Sequence, residues 1–179
     1  MNHKNIPNLL SLIRILLIIP LMYFILIAEY KLALIVFGIS AFTDLLDGWL
    51  ARWLKCESAM GAILDPLADK LLLISVFFTL CYLGLIPILL ALVVISRDLL
   101  ILIGALLIWL INNQVVIFKP SIISKINTVL QVLLIACVII EISDVYEFPD
   151  IIITTLVYTV FATAIISGIG YLKSAIKYQ

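Results

Sequence analysis

Four aspartates stand close together in the first half of the chain, at Asp44, Asp47, Asp65 and Asp69. The first two are three residues apart and the last two are four apart, so each pair shares one face of a helix. Apolar residues flank both pairs, and an aspartate costs about 2.5–3.5 kcal/mol at the centre of a bilayer. Protonation or a bound cation would relieve this cost. Two divalent cations balance four carboxylates, and clustered oxygen ligands suit Mg²⁺ or Mn²⁺. Paired metals can stabilise the attacking and leaving oxygens of a displacement at phosphorus.

The elements that must position these aspartates are long apolar segments. The 179-residue chain is 65% hydrophobic and carries 11 acidic and 11 basic residues, so it lacks the basic excess of a nucleic-acid binder. Segments near the length of a membrane span recur through the chain. They are Asn8–Ala28, Leu32–Leu54, Ala62–Leu83, Ile86–Ile111, Ile122–Ile142 and Ile151–Leu172. The pattern predicts an all-α integral membrane protein, with six transmembrane helices in a single domain over residues 1–179. A short turn would bring the aspartate pairs of spans two and three face to face.

The distribution of lysine and arginine predicts the orientation of these spans. Basic residues lie at the N-terminus, in the second and fourth loops and in the tail, whereas the fifth loop is acidic. The positive-inside rule therefore places both termini and the loop around Cys56 in the cytoplasm. The aspartates would face the cytoplasm from a multi-pass protein of a bacterial inner membrane, or of the topologically equivalent organelle membrane.

Small and basic residues accompany the aspartates at Gly48, Ala51, Arg52 and Gly61. Small side chains let helices or a ligand approach the backbone closely, and a guanidinium can bind a phosphate group. The alternative is that these are ordinary capping and interfacial charges at two helix ends. That interpretation suits any single aspartate, but it does not account for four at this spacing.

The complete pattern, D-x2-D-G-x2-A-R-x8-G-x3-D-x3-D, resembles the signature of the CDP-alcohol phosphotransferase family at every position. The resemblance implies that all four aspartates bind two divalent cations and that Asp69 also deprotonates the acceptor hydroxyl. It implies that Gly48 and Ala51 pack against the nucleotide, that Arg52 lies near the diphosphate and that Gly61 allows close packing. It further implies a six-helix membrane core, a homodimer and a cytoplasmic cavity. The reaction would move a phosphatidyl group from CDP-diacylglycerol to an alcohol and release CMP.

Basic residues outside this pattern are the candidates for contacts with the acceptor. Arg97 lies beside Asp98 in the middle of the fourth span, as either a phosphate contact or half of a neutral pair. Lys125 is either a cytoplasmic anchor or an acceptor contact. Arg14 has the same two alternatives, and its position about two turns inside the first span favours an interior partner over snorkelling. The stretches around these residues resemble the phosphatidylglycerophosphate synthase and cardiolipin synthase branch of the family. They slightly favour phosphatidylglycerol as the acceptor, with glycerol-3-phosphate as the alternative.

Two other classes of function fit part of the sequence. A divalent-cation carrier would also place aspartates within the membrane, but it predicts acidic residues on the far side that are aligned with the cluster. The middle of every span lacks a carboxylate except for Asp98, and the acidic loop from Glu141 to Asp150 stands alone. A non-catalytic scaffold could retain the fold, although all four aspartates of the pattern are present.

Overall fold

Six helices make up the computed structural model, which describes residues 6–54, 61–112 and 122–176, with side chains over 11–44, 66–104 and 122–171. The helices are α1 (Ile6–Leu26), α2 (Tyr30–Leu54), α3 (Gly61–Tyr82), α4 (Ile88–Asn112), α5 (Ile122–Ile142) and α6 (Asp150–Ile176). They confirm the six predicted helical segments, and the bounds of α5 are those predicted.

Two helices in the described part of the chain are long and apolar enough to cross a membrane. They are Ile122–Ile142 and Asp150–Tyr171, while Ser11–Leu26 is a shorter apolar segment. The outward faces of the described helices also carry many exposed large apolar side chains, such as Ile19, Leu92 and Ile151. Extended apolar surfaces of this kind are rare on soluble monomers.

The hydrophobic core lies between the helices, with α1 packed on α2 and α3, α4 on α3 and α6, and α5 on α6, α2 and α3. Its members recur every three or four residues along each helix, as in Leu72, Val76 and Leu80 of α3. This spacing gives each helix one inward stripe and leaves its other faces apolar and exposed.

Three helices end in turns with a residue of positive φ, at Ala28 (60°), Gly84 (70°) and Asp144 (55°). At each end the next amide donates back to a carbonyl five residues earlier, as from Leu85 to Leu80 at 2.9 Å. These turns connect α1 to α2, α3 to α4 and α5 to α6 at one end of the protein. The C-terminal halves of α2, α4 and α6 therefore meet the N-terminal halves of α1, α3 and α5 at the other end.

Candidate active site

Arg14 connects two of the four aspartates. Its Nη1 donates a hydrogen bond to Asp69 Oδ1, and its Nη2 lies 2.9 Å from Asp44 Oδ1. The guanidinium comes from α1, Asp44 from α2 and Asp69 from α3, so one cation joins three helices. The Arg14 side chain is 2% exposed, whereas those of Asp44 and Asp69 are 53% and 41% exposed. The arginine therefore lies on the inner side of the carboxylates. The prediction that Arg14 has an interior partner is confirmed.

Whether a metal ion could bind here depends on the side chains that surround the aspartates. The Asp44 and Asp69 carboxylates, from α2 and α3, both contact the positive charge of Arg14. Among the residues with described side chains, no group of three or more metal-ligating residues occurs. Asp47 and Asp65, which would complete the predicted set, lie outside those residues. The donors present are carboxylates, which fit Mg²⁺ or Mn²⁺.

A cavity of about 380 Å³ opens beside the aspartates. Arg14, Asp44 and Asp69 form its polar end, together with Ser40 and Thr128. The remaining wall is apolar and comes from α2, α3 and α5: Phe37, Ala41, Leu72, Leu73, Val129, Val132 and Leu133. A ligand in this cavity would meet charge at one end and hydrocarbon along the rest of its length.

A second charged cluster lies next to the first. The Lys70 Nζ lies 2.8 Å from Asp98 Oδ1, and Arg97 Nη1 donates to the same oxygen. Asp98 is fully buried, and the Lys70 and Arg97 side chains are 14% and 3% exposed. Asp98 is the partner of Arg97, as predicted, and it also connects α4 to α3. Two cations and one carboxylate leave this cluster with one excess positive charge.

The Arg97 guanidinium is held from two further helices. Its Nη2 donates to Ser124 Oγ of α5 and, at 2.7 Å, to Ser167 Oγ of α6. Its Nε lies 3.3 Å from the same Ser167 oxygen, and its Cζ lies 5.7 Å from the centre of the Tyr171 ring. All three nitrogens therefore contact protein groups, so the structural role of Arg97 is established by geometry. Its predicted role toward an acceptor stays a prediction.

The other predicted site residues divide into two groups. Lys125 belongs to the part of the chain whose side chains the structure describes, and its side chain is exposed in the first turn of α5. Asp47, Gly48, Ala51 and Arg52 lie in α2, and Gly61 and Asp65 lie in α3, but their side chains are outside the described part of the structure. The helices place both groups at the same end of the protein as Arg14 and Asp69.

Lys70 also lies in this region, and no role was predicted for it from the sequence. Besides Asp98, it reaches Thr128 Oγ1 at 3.5 Å, so it stands between the second cluster and the cavity wall. The feature of the sequence that could have indicated a role is its position directly after Asp69, where an apolar segment begins. Its partner, 28 residues further along the chain, could not be inferred from that position.

A family model and several known proteins match this chain. A family model described as CDP-alcohol phosphatidyltransferase matches residues 4–167. The chain is 37% identical over 180 residues to the Rattus norvegicus protein named cardiolipin synthase (CMP-forming), covering 91% of this chain and 59% of that protein. The Homo sapiens protein of the same name is 36% identical over 180 residues, with the same coverage. A chloroplastic CDP-diacylglycerol–glycerol-3-phosphate 3-phosphatidyltransferase from Oryza sativa subsp. japonica is 36% identical over 195 residues, 98% of this chain and 57% of that protein. The chain thus spans just under three fifths of the length of these relatives.

Proposed function

The chain belongs to the CDP-alcohol phosphatidyltransferase family, and from this premise we propose that it transfers a phosphatidyl group from CDP-diacylglycerol to the hydroxyl of a glycerol-type acceptor. CMP is the leaving group. The observation that carries the proposal is the cavity with Asp44 and Asp69 at its polar end and an apolar wall along the remainder. A CDP-lipid has hydrocarbon chains that suit the apolar wall, and its anionic diphosphate would bind the carboxylates through the divalent cations proposed next.

Asp44, Asp47, Asp65 and Asp69 would hold two divalent cations, Mg²⁺ or Mn²⁺. When bound, such ions supply charge stabilisation for the diphosphate and for the departing CMP. Asp69 takes the proton from the acceptor hydroxyl, whose oxygen forms a bond to the phosphatidyl phosphorus as the bond from that phosphorus to the CMP oxygen breaks. General-base assistance of this kind is typically worth about 10²–10⁴-fold in rate.

The residues of the family pattern and the wall of the cavity would bind the donor lipid together. Gly48 and Ala51 leave room for the nucleotide, Arg52 contacts the diphosphate, and Gly61 allows α3 to approach closely. The acyl chains extend along Phe37, Leu72 and Val132 and the other apolar residues of the wall, which α2, α3 and α5 provide.

For the acceptor we favour phosphatidylglycerol, which would make the protein a cardiolipin synthase. Two relatives that cover 91% of the chain carry that name. Arg97, Lys125 and Arg14 are the proposed contacts to the acceptor, and the excess positive charge of the Lys70, Arg97 and Asp98 cluster supports an anionic one. Glycerol-3-phosphate is the second candidate, because the rice relative named for that acceptor covers 98% of the chain.

We further propose that all six helices cross the membrane, with both termini and the aspartates on the cytoplasmic side, and that the protein is a homodimer. The exposed apolar faces of the helices support the membrane location. The basic residues of the termini and of alternate loops support the orientation.

The experiment is to offer purified protein CDP-diacylglycerol and Mn²⁺ or Mg²⁺ with one acceptor at a time. Phosphatidylglycerol, glycerol-3-phosphate, inositol phosphate and serine are tested separately, with CMP release and the lipid product measured. Cardiolipin as the product supports the favoured acceptor, and phosphatidylglycerophosphate supports the second. Absence of CMP release with every acceptor contradicts the proposed reaction.

Two controls separate the alternatives. Asp69→Asn should lower CMP release at least about 100-fold if Asp69 is the base, whereas near-normal release from folded protein would contradict that assignment. Proteoliposomes that transport Mn²⁺ or Mg²⁺ without consuming CDP-diacylglycerol would instead identify a cation carrier.

A further inference from the structure

The positive charge of Arg14 lies directly beside two of the proposed metal ligands. Its guanidinium contacts the Oδ1 atoms of both Asp44 and Asp69, and its side chain is only 2% exposed. The two carboxylates are much more exposed, and both line the cavity. The arginine thus neutralises them from within, and a divalent cation would reach them from the cavity side.

The contacts of Arg14 are incomplete. Among the described residues its Nε has no hydrogen-bond partner, and its Nη2 lies near Asp44 at an angle that makes no hydrogen bond. A buried guanidinium with unused donors costs free energy, so charge rather than ideal hydrogen bonding holds it here.

We propose that Arg14 is a positioning residue that holds Asp44 and Asp69 together in the metal-free protein and weakens their affinity for divalent cations. The inference rests on the proposed function, in which these aspartates are metal ligands. Like charges repel at short range, so the guanidinium raises the free energy of each metal ion bound beside it. In the metal-free protein the same charge offsets the repulsion between the two carboxylates.

Removing this charge has two effects of opposite sign. Without Arg14 the metal-free protein loses the link between α1, α2 and α3, so its stability falls. The carboxylates then lose the guanidinium that competes for them, so divalent cations bind more tightly and restore the stability. If Arg14 only held the ligands in position, its removal would let them separate and would weaken metal binding. The sign of the change in affinity therefore distinguishes the two roles.

The experiment measures Mn²⁺ binding to full-length protein in detergent micelles, from the electron paramagnetic resonance signal of free Mn²⁺, together with thermal unfolding in EDTA and in Mn²⁺. We expect Arg14→Met to bind Mn²⁺ about tenfold more tightly, because a unit charge at contact distance in a partly exposed site has an effect of this order. Its unfolding temperature should fall in EDTA and recover in Mn²⁺. Arg14→Lys keeps the charge and should stay within about threefold of the unsubstituted protein.

Arg97→Met is the matched control, since it removes the other buried arginine of the region without touching Asp44 or Asp69, and it should leave Mn²⁺ affinity within about twofold. Weaker or unchanged Mn²⁺ binding by Arg14→Met overturns the inference. If Arg14→Met folds only when it is purified with Mn²⁺, the inference is supported, and failure to fold under both conditions contradicts it. If the unsubstituted protein binds no Mn²⁺, the metal site itself is wrong and the proposed function fails with it.

Discussion

Lys70, Arg97 and Asp98 form a buried cluster in the described part of the chain. Replacing Asp98 by asparagine removes the negative charge of these three residues. The carboxylate is fully buried and its Oδ1 accepts from both cations. After the change, two positive charges stay in an environment where their side chains are 14% and 3% exposed. Breaking a buried ion pair by removing one partner costs about 3–5 kcal/mol. We expect a loss of that size, which corresponds to roughly 10 °C in unfolding temperature for a chain of this length.

The assay is thermal unfolding in detergent, followed by a thiol-reactive dye that reports exposure of the three cysteines. Glu147→Gln is the control, because Glu147 is exposed in the loop before α6 and its change should cost less than about 0.5 kcal/mol. The double variant Lys70→Met with Asp98→Asn leaves one buried cation instead of two. It should be more stable than the sum of the single changes predicts, by at least about 1 kcal/mol. Asp98→Asn unfolding at the same temperature as the control, or strict additivity in the double variant, would refute the reasoning.

Other substitutions test further parts of the structure with the same unfolding assay. Gln131 is fully buried and neither end of its amide has a partner among the described residues, so Gln131→Met should stabilise the protein by about 1 kcal/mol, and a loss would indicate an unseen partner. Ala28→Gly should stabilise it by about 0.5–1 kcal/mol, because Ala28 has a φ of 60°. The reverse change, Gly84→Ala at a φ of 70°, should destabilise it by about 1 kcal/mol, and equal signs for the two would contradict the turn geometry. Thr163→Val should cost about 1 kcal/mol by removing the 2.9 Å hydrogen bond to Asn127, and an unchanged unfolding temperature would contradict this.

The helices and the reactive residues could be predicted from the sequence because the signals for both are local. A long apolar segment bounded by polar residues defines a helix wherever it packs, and α5 accordingly begins at Ile122 and ends at Ile142, as predicted. Asp44 and Asp47, or Asp65 and Asp69, share a helix face through backbone geometry alone. The family signature depends on the same short spacings, so the resemblance that implies the reaction class could be recognised from the sequence.

The partners of the charged side chains were decided by the tertiary structure. Arg14 meets Asp69 across 55 residues of sequence, and Arg97 meets Ser167 across 70. Apolar segments of similar length and hydropathy can pack in many pairings, so the sequence indicated that Arg14 needed an interior partner without identifying it. Once the inward stripes of α1, α2 and α3 are packed together, burial of the guanidinium requires a carboxylate, and Asp44 and Asp69 are the ones within reach. The aspartates were evident from the sequence, and the cation already bound to two of them became evident only in the folded protein.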